Sequence, residues 1–106
     1  MTTASEIFDE VNRRLTDPAK AGTTNATYQF DLSGDDGGSY HIVLEGGTGD
    51  AGAGAPDNPN TTISMSAADF VGLATGTLDP TMAFMTGKLK VRGDMALAMK
   101  LQNLLR

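Results

Sequence analysis

Few side chains in this sequence are of a type that performs acid–base or nucleophilic chemistry. His41 is the only histidine, and the chain has no cysteine. A histidine-based triad needs a nucleophile and an orienting group beside the imidazole, and a histidine or thiolate metal site needs several ligands. His41 shares its side of an alternating run with Val43 and Glu45, so it is predicted to be an exposed residue on the outer face of a strand. We therefore predict no catalytic residue and no metal site.

The carboxylates also have structural explanations. Asp69, Asp79 and Asp94 stand where helices are predicted to begin, and aspartate is a preferred N-cap residue. Many of the other acidic residues occupy predicted loops, and none of these loops has the alternating spacing and final glutamate of a calcium-binding loop. The sequence therefore indicates no metal, no cofactor and no enzymatic activity.

Three glycines have the spacing of the dinucleotide-binding fingerprint. They are Gly47, Gly49 and Gly52, and they follow a predicted strand. In that fingerprint a helix begins directly after the glycines, and its N-terminus holds the pyrophosphate. Here Pro56 and Pro59 follow instead, within a stretch that has no helical periodicity. We interpret residues 46–60 as a mobile loop and the spacing as a consequence of their high glycine content.

Methionine is concentrated in the second half of the chain, which contains five of the six. Methionine is flexible and polarizable, and it lines surfaces that adapt to variable apolar shapes. In the predicted last helix, residues 95–105, Met95 and Met99 lie roughly opposite a face of leucines. These leucines are Leu97, Leu101, Leu104 and Leu105. A helix with two apolar faces needs an apolar neighbour on each, so a ligand in a deformable cavity and a solid core are equally good interpretations.

Periodicity predicts where the other elements lie. A capping box over residues 3–6 opens an amphipathic helix that should end near Asp17 and Pro18. Alternating apolar residues predict strands around 28–32, 40–44 and 61–65. Helices over 66–76 and 81–86 follow, and then a strand over 88–92 precedes the last helix. This order predicts an α+β fold of two layers, a mostly antiparallel four-stranded sheet covered on one face by helices.

Length and charge limit the classes of function. The 106 residues are predicted to form a single domain, 1–106. The net charge of −5 argues against nucleic acid and allows at most transient contact with a membrane. No apolar run is long enough to cross a bilayer, and the start of the chain is not a signal peptide. Lys88, Lys90 and Arg92 alternate with apolar residues, which favours a solvated strand face and leaves a docking patch for an acidic head group or phosphate as the alternative.

Two stretches resemble a known family. They are MTGKLKVRGDMALAMKLQNL, residues 85–104, and TISMSAADF, residues 62–70. They are similar to the end and the middle of the sterol carrier protein 2 family, and the specific part of the likeness covers residues 61–105. The resemblance implies a five-stranded sheet covered by helices, a hydrophobic tunnel between the layers, and non-catalytic binding or transfer of sterols, fatty acids, acyl-CoA or phospholipids.

One departure from that family bears on location and ligand. Eukaryotic members often end in a peroxisomal tripeptide, and this chain ends in Leu104, Leu105 and Arg106. We therefore expect a cytoplasmic, stand-alone domain. Fatty acyl chains, isoprenoids or quinones are then better candidate ligands than a sterol.

The methionine pattern and the resemblance together predict a lipid site. Its lining is predicted to be Phe70, Leu73, Met82, Met85, Leu89, Met95 and Met99. Gln102 matches a glutamine that borders the cavity in some family members, and it is predicted to hydrogen bond the polar end of the lipid. The alternative is an interaction or dimerisation module that uses the apolar last helix. The sequence leaves the oligomeric state open.

Overall fold

The polypeptide forms a mixed sheet with helices on one face. A computed structural model describes residues 3–17, 22, 25–35 and 37–105, with residues 101–105 described by their backbone only. In this part of the chain the elements are α1 (Ala4–Arg14), β1 (Ala26–Ser33), β2 (Gly38–Glu45), β3 (Thr48–Ala53), β4 (Thr61–Ser66), α2 (Ala67–Thr75), α3 (Pro80–Met85), β5 (Lys90–Gly93) and α4 (Met95–Leu105).

The five strands have the order β3-β2-β1-β4-β5. The pairs β2–β3, β1–β2 and β4–β5 are antiparallel, and β1 runs parallel to β4. The predicted α+β class and the mostly antiparallel sheet are confirmed. The sheet has five strands, as the family resemblance implies, and not the four that the periodicity indicates.

The core lies between the sheet and the helices. β1 and β2 bury alternate side chains, as predicted from their patterns. The buried residues of these two strands include Tyr28, Phe30, Leu32, Tyr40, Ile42 and Leu44. α1 packs on β3 and α2, while α4 contacts α2 and β4. The opposite face of the sheet carries half-buried polar side chains such as Gln29, Asp31 and Thr62.

Each described helix begins at a polar side chain that caps it. In every case the capping oxygen accepts a hydrogen bond from the backbone N–H three residues further along. The caps are Thr3, Ser66, Asp79 and Asp94. α1 ends at Arg14, earlier than predicted, although hydrogen-bonded turns continue to Asp17.

The prediction of a mobile loop over residues 46–60 is wrong for residues 48–53, which form β3. Gly46 and Gly47 have φ values of 61° and 84°, as a two-residue type I′ turn requires, and Glu45 pairs with Thr48 across this turn. The fingerprint-like glycines therefore lie in a β-hairpin and do not precede a helix.

β3 is made of small residues, which allows α1 to approach it closely. The Gly49 N–H donates to the carbonyl oxygen of Leu15 at 3.0 Å, and the Ala51 N–H donates to Asn12 Oδ1 at 2.9 Å. A Cβ atom on Gly49 would lie 2.9 Å from the Leu15 side chain. The strand is thus held by backbone hydrogen bonds and by close packing rather than by large apolar side chains.

The last strand begins at Lys90, two residues later than predicted. The N–H groups of Lys88 and Leu89 both donate to the carbonyl oxygen of Ala83, at 2.9 and 3.1 Å. These hydrogen bonds close the C-terminal end of α3. The N–H groups of both residues therefore hydrogen bond to α3, and neither residue pairs with β4.

Candidate functional site

The predicted lipid-site residues divide into a buried group and an exposed group. Phe70, Leu73 and Leu89 belong to the core. The four methionines are exposed, with accessible fractions of 54% for Met82, 73% for Met85, 43% for Met95 and 67% for Met99. The structure therefore places three of these residues inside the domain and four on its surface. Gln102 lies in α4, but its side chain is outside the part that the structure describes.

The buried group includes Phe70, which belongs to a cluster of aromatic rings. The Phe8 ring stacks on Phe70 and on Tyr40, with centroid separations of 4.9 and 4.4 Å, and it meets Phe30 edge-on at 5.1 Å. Phe30 also meets Phe70 edge-on at 5.6 Å. Such ring pairs stabilise a core beyond the area that they bury. Phe70 is thus held from two sides by α1 and β1.

α3 presents apolar side chains to solvent because only one of its residues faces the core. Ala83 is fully buried, whereas Met82, Phe84 and Met85 are exposed. The helix is short, and Asp79 caps it by accepting from the Met82 N–H at 3.0 Å. An alanine fills little volume, so α3 lies close to the core while its larger side chains remain outside.

α4 has two apolar faces over the part whose side chains are described. Leu97 packs against the core, while Met95 and Met99 are exposed. The opposition predicted between these residues is therefore confirmed. The predicted packing of Leu101, Leu104 and Leu105 lies outside the described side chains. Within the described part of the chain, the large apolar side chains that are exposed to solvent are those of Met82, Phe84, Met85, Met95 and Met99.

Tyr28 fixes α4 to the sheet, a contact that the periodicity did not predict. Its Oη donates to the carbonyl oxygen of Leu97 at 2.7 Å. Burial, and then the nearby Asp94 carboxylate, raise the pKa of Tyr28 to about 12. A buried tyrosine needs a hydrogen-bond partner for its hydroxyl group. The predicted burial of Tyr28 therefore indicated that such a partner exists, but not which residue it is.

This hydrogen bond predicts a pH-dependent difference between the wild type and Tyr28→Phe. Because the folded state raises the pKa of Tyr28 from 10 to about 12, the hydroxyl group stabilises the fold fully below pH 10 and loses this effect as the pH rises toward 12. At neutral pH the variant should be less stable by about 1–3 kcal/mol. Thermal unfolding from pH 9 to 12 should show the gap between the two proteins closing; parallel profiles would contradict this account.

His41 lies on the outer face of the sheet, as predicted, but it is not an exposed residue. Its Nε2 is 3.0 Å from Asp50 Oδ2, and its Nδ1 is 3.1 Å from the Gly54 carbonyl oxygen. Its side chain is only 20% exposed, because the unpredicted β3 and the residue after it cover the ring. Among the described residues, no three His, Cys, Asp or Glu side chains are grouped so that they could hold a metal ion.

A cleft of about 430 Å³ lies between α1 and the end of α2. Its lining is Glu6, Ile7, Asp9, Glu10, Val11, Arg13, Arg14, Ala74 and Thr75, so none of the predicted lipid-site residues borders it. An ion pair of Glu10 and Arg13 crosses one wall. The hydrogen bond from Arg13 lowers the pKa of the Glu10 carboxyl group. This charged surface is unlike the apolar tunnel that the family resemblance implies.

The described helices are too short or too polar to cross a membrane. The longest, α1 and α4, have 11 residues each. A helix needs about 20 apolar residues to span the hydrocarbon layer.

The sequence of this chain is similar to the sequences of a known protein family. The sequence model of the SCP-2 sterol transfer family matches residues 7–106. Hydroxysteroid dehydrogenase-like protein 2 from Bos taurus is 48% identical over 101 residues, which are 94% of this chain and 24% of that protein. The chain thus spans between a fifth and a quarter of the length of such curated relatives.

Solved structures have the same architecture. Sterol Carrier Protein 2 from Yarrowia lipolytica (apo form) aligns with a TM-score of 0.80 at 32% identity, over 96% of this chain and 88% of that one. Sterol Carrier Protein-2 from Aedes aegypti in complex with C16 fatty acid (palmitate) has a TM-score of 0.73 at 22% identity, over 99% and 96%. At that identity the second likeness shows the fold alone. With the family match over nearly its whole length and this shared fold, the chain belongs to the SCP-2 sterol transfer family.

Proposed function

We propose that this chain binds and transfers lipids without catalysing a reaction. The observation that carries the proposal is the set of exposed methionines on α3 and α4 in a chain that belongs to the SCP-2 sterol transfer family. Phe70, Leu73 and Leu89 form the inner wall of the lipid site. Met82, Met85, Met95 and Met99 form its mouth, and Gln102 hydrogen bonds the polar end of the ligand.

Fatty acids are the ligand class that we favour, with acyl-CoA, sterols and other isoprenoids as further members. The Aedes aegypti relative was solved with palmitate, which supports an acyl chain. Each methylene group removed from water contributes about 0.8 kcal/mol, so a chain of about sixteen carbons contributes roughly 12 kcal/mol. The entropic costs of association subtract several kcal/mol from this, which leaves a Kd near micromolar.

The activity that the name of the longer relatives suggests is not extended to this chain. Their name contains the word dehydrogenase, but the chain corresponds to only 24% of the bovine protein. We propose that the chain itself is a carrier and has no catalytic role. A chain without cysteine tolerates a reducing compartment, and we expect it in the cytoplasm, which cell fractionation tests.

The experiment begins with gently purified protein. Solvent extraction and mass spectrometry should find a co-purified lipid, and a fluorescent fatty acid should bind saturably. Met99→Asp places a charge at the proposed mouth and should weaken binding at least about tenfold, since about 1.4 kcal/mol is enough for that change. Ala68→Asp adds the same charge at an exposed position of α2 and should leave binding unchanged.

The second candidate function is an interaction or dimerisation module. The same exposed methionines favour it, because an apolar helix face also fits a protein partner. Light scattering after size exclusion separates the two functions. A monomer that takes up lipid supports the carrier. The interaction module is supported instead by a dimer that Met99→Asp dissociates. In that case no lipid should be extracted and the fluorescent fatty acid should not bind saturably.

A further inference from the structure

The methionines provide all the sulfur atoms of this chain, because its sequence contains no cysteine. Among the methionines whose side chains the structure describes, only Met65 is buried, at 5% exposure in β4. The others are called the exposed methionines below, and they are Met82, Met85, Met95 and Met99. Oxidation of sulfur depends on whether the oxidant can reach it, so these side chains should react selectively.

Hydrogen peroxide oxidises a thioether in one step. The sulfur lone pair attacks one peroxide oxygen, the O–O bond breaks, and methionine sulfoxide and one water molecule are formed. The sulfur is oxidised by two electrons, and the peroxide is reduced by two. The product is polar and accepts hydrogen bonds, whereas the thioether is apolar. The modification is reversible, because reductases convert both sulfoxide epimers back to methionine.

The core does not depend on the exposed methionines. Within the described part of the chain the buried cluster contains Met65, and Ala83 and Leu97 connect α3 and α4 to it. None of the exposed methionines belongs to this cluster of described residues. An oxygen atom added to one of them stays in water, so the fold should lose little stability. An oxygen atom added to Met65 would be buried, and a buried polar atom without a hydrogen-bond partner destabilises the fold.

We propose that the exposed methionines are reversible oxidation sites for hydroperoxides and that their oxidation weakens lipid uptake. The second part rests on the proposed function, which places these side chains at the mouth of the lipid site; the selective oxidation does not. A lipid that enters past a sulfoxide removes a polar group from water without replacing its hydrogen bonds. One such group is enough to weaken binding about tenfold.

Stepwise oxidation of the folded protein tests both parts. Hydrogen peroxide is added in increasing amounts, and peptide mass spectrometry follows each methionine separately. The exposed methionines should gain oxygen well before Met65. When they are oxidised, the fluorescent fatty acid should bind at least about tenfold more weakly, while the melting temperature should stay within about 4 °C of the untreated value. The two methionine sulfoxide reductases, one for each epimer, should then restore binding.

Two leucine variants are matched controls, because leucine is close to methionine in volume and has no sulfur atom. In a variant with leucine at all four exposed positions, the Kd of the fatty acid should be the same before and after peroxide treatment. Met65→Leu removes only the core sulfur, which is not part of the proposed site. It should bind fatty acid as the wild type does and remain equally sensitive to peroxide.

The proposal is wrong if Met65 gains oxygen together with the exposed methionines, or if the oxidised protein binds fatty acid as tightly as the untreated protein. It is also wrong if the melting temperature falls together with the binding, because oxidation then damages the fold and not the mouth of the site. A wild type that binds no fatty acid removes the carrier function and its control by oxidation. The selective and reversible oxidation is judged separately, from the peptide masses alone.

Discussion

Phe8→Ala should lower the free energy of unfolding by about 3–5 kcal/mol, a large part of the 5–15 kcal/mol typical of a domain. Phe8 is 1% exposed and contacts the rings of Tyr40, Phe70 and Phe30. Its removal takes one side from three ring pairs and leaves a cavity between α1 and the sheet. Denaturant unfolding measures the loss, and the melting temperature should fall by roughly 15–30 °C.

Phe84→Ala is the matched control for this change. It is the same substitution at a phenylalanine that is 46% exposed on α3. It should alter the stability by less than about 1 kcal/mol, because little packing is lost at an exposed position. Similar melting temperatures for the two variants would show that the aromatic cluster does not organise the core.

Gly93→Ala should destabilise the fold by about 2–4 kcal/mol through backbone strain and a steric clash. Gly93 has a φ of +100°, and a Cβ atom on it would lie 2.5 Å from the carbonyl oxygen of Asn60. That oxygen accepts the Asp94 N–H at 3.0 Å, and the Asn60 side chain accepts the Thr27 N–H at 2.8 Å. The junction thus joins β1, β4, β5 and the start of α4, so the change should also displace the exposed methionines.

Gly87→Ala is the control that has the backbone strain without the steric clash. Gly87 has a φ of +80°, but nothing lies within 4 Å of the position that its Cβ atom would take. This variant should therefore lose only the stability that backbone strain costs, about 1 kcal/mol. Chemical unfolding gives both stabilities, and fatty acid titration reports on the methionines. If the two variants lose the same stability, the close approach of Asn60 is unimportant.

The local pattern of the sequence determined where most elements begin and which side chains they bury. The caps at Thr3, Asp79 and Asp94 were predicted from residue type, because a short polar side chain satisfies a free N–H group wherever a helix begins. The burial of Tyr28 and Ile42 followed from alternation, since a strand turns successive side chains to opposite faces. These features depend on neighbours a few residues apart.

β3 shows what local pattern could not determine. The Gly46-Gly47 pair is a recognised hairpin signal, but the residues after it have no large apolar side chain to mark a strand. The strand exists because β2 supplies its hydrogen-bond partners and because α1 packs against Gly49 and Ala51. Because β3 was not predicted, His41 was predicted to be exposed, whereas β3 covers its ring.

The methionines separate the two sources of information most clearly. Their number and helical spacing in the sequence predicted a deformable apolar cavity and two apolar faces on the last helix. Only the tertiary structure divided the predicted site, because Ala83 and Leu97 take the core positions of α3 and α4 and leave Met82, Met85, Met95 and Met99 outside. Spacing shows which residues share a helix face, but which face is buried depends on contacts with residues far away in the chain.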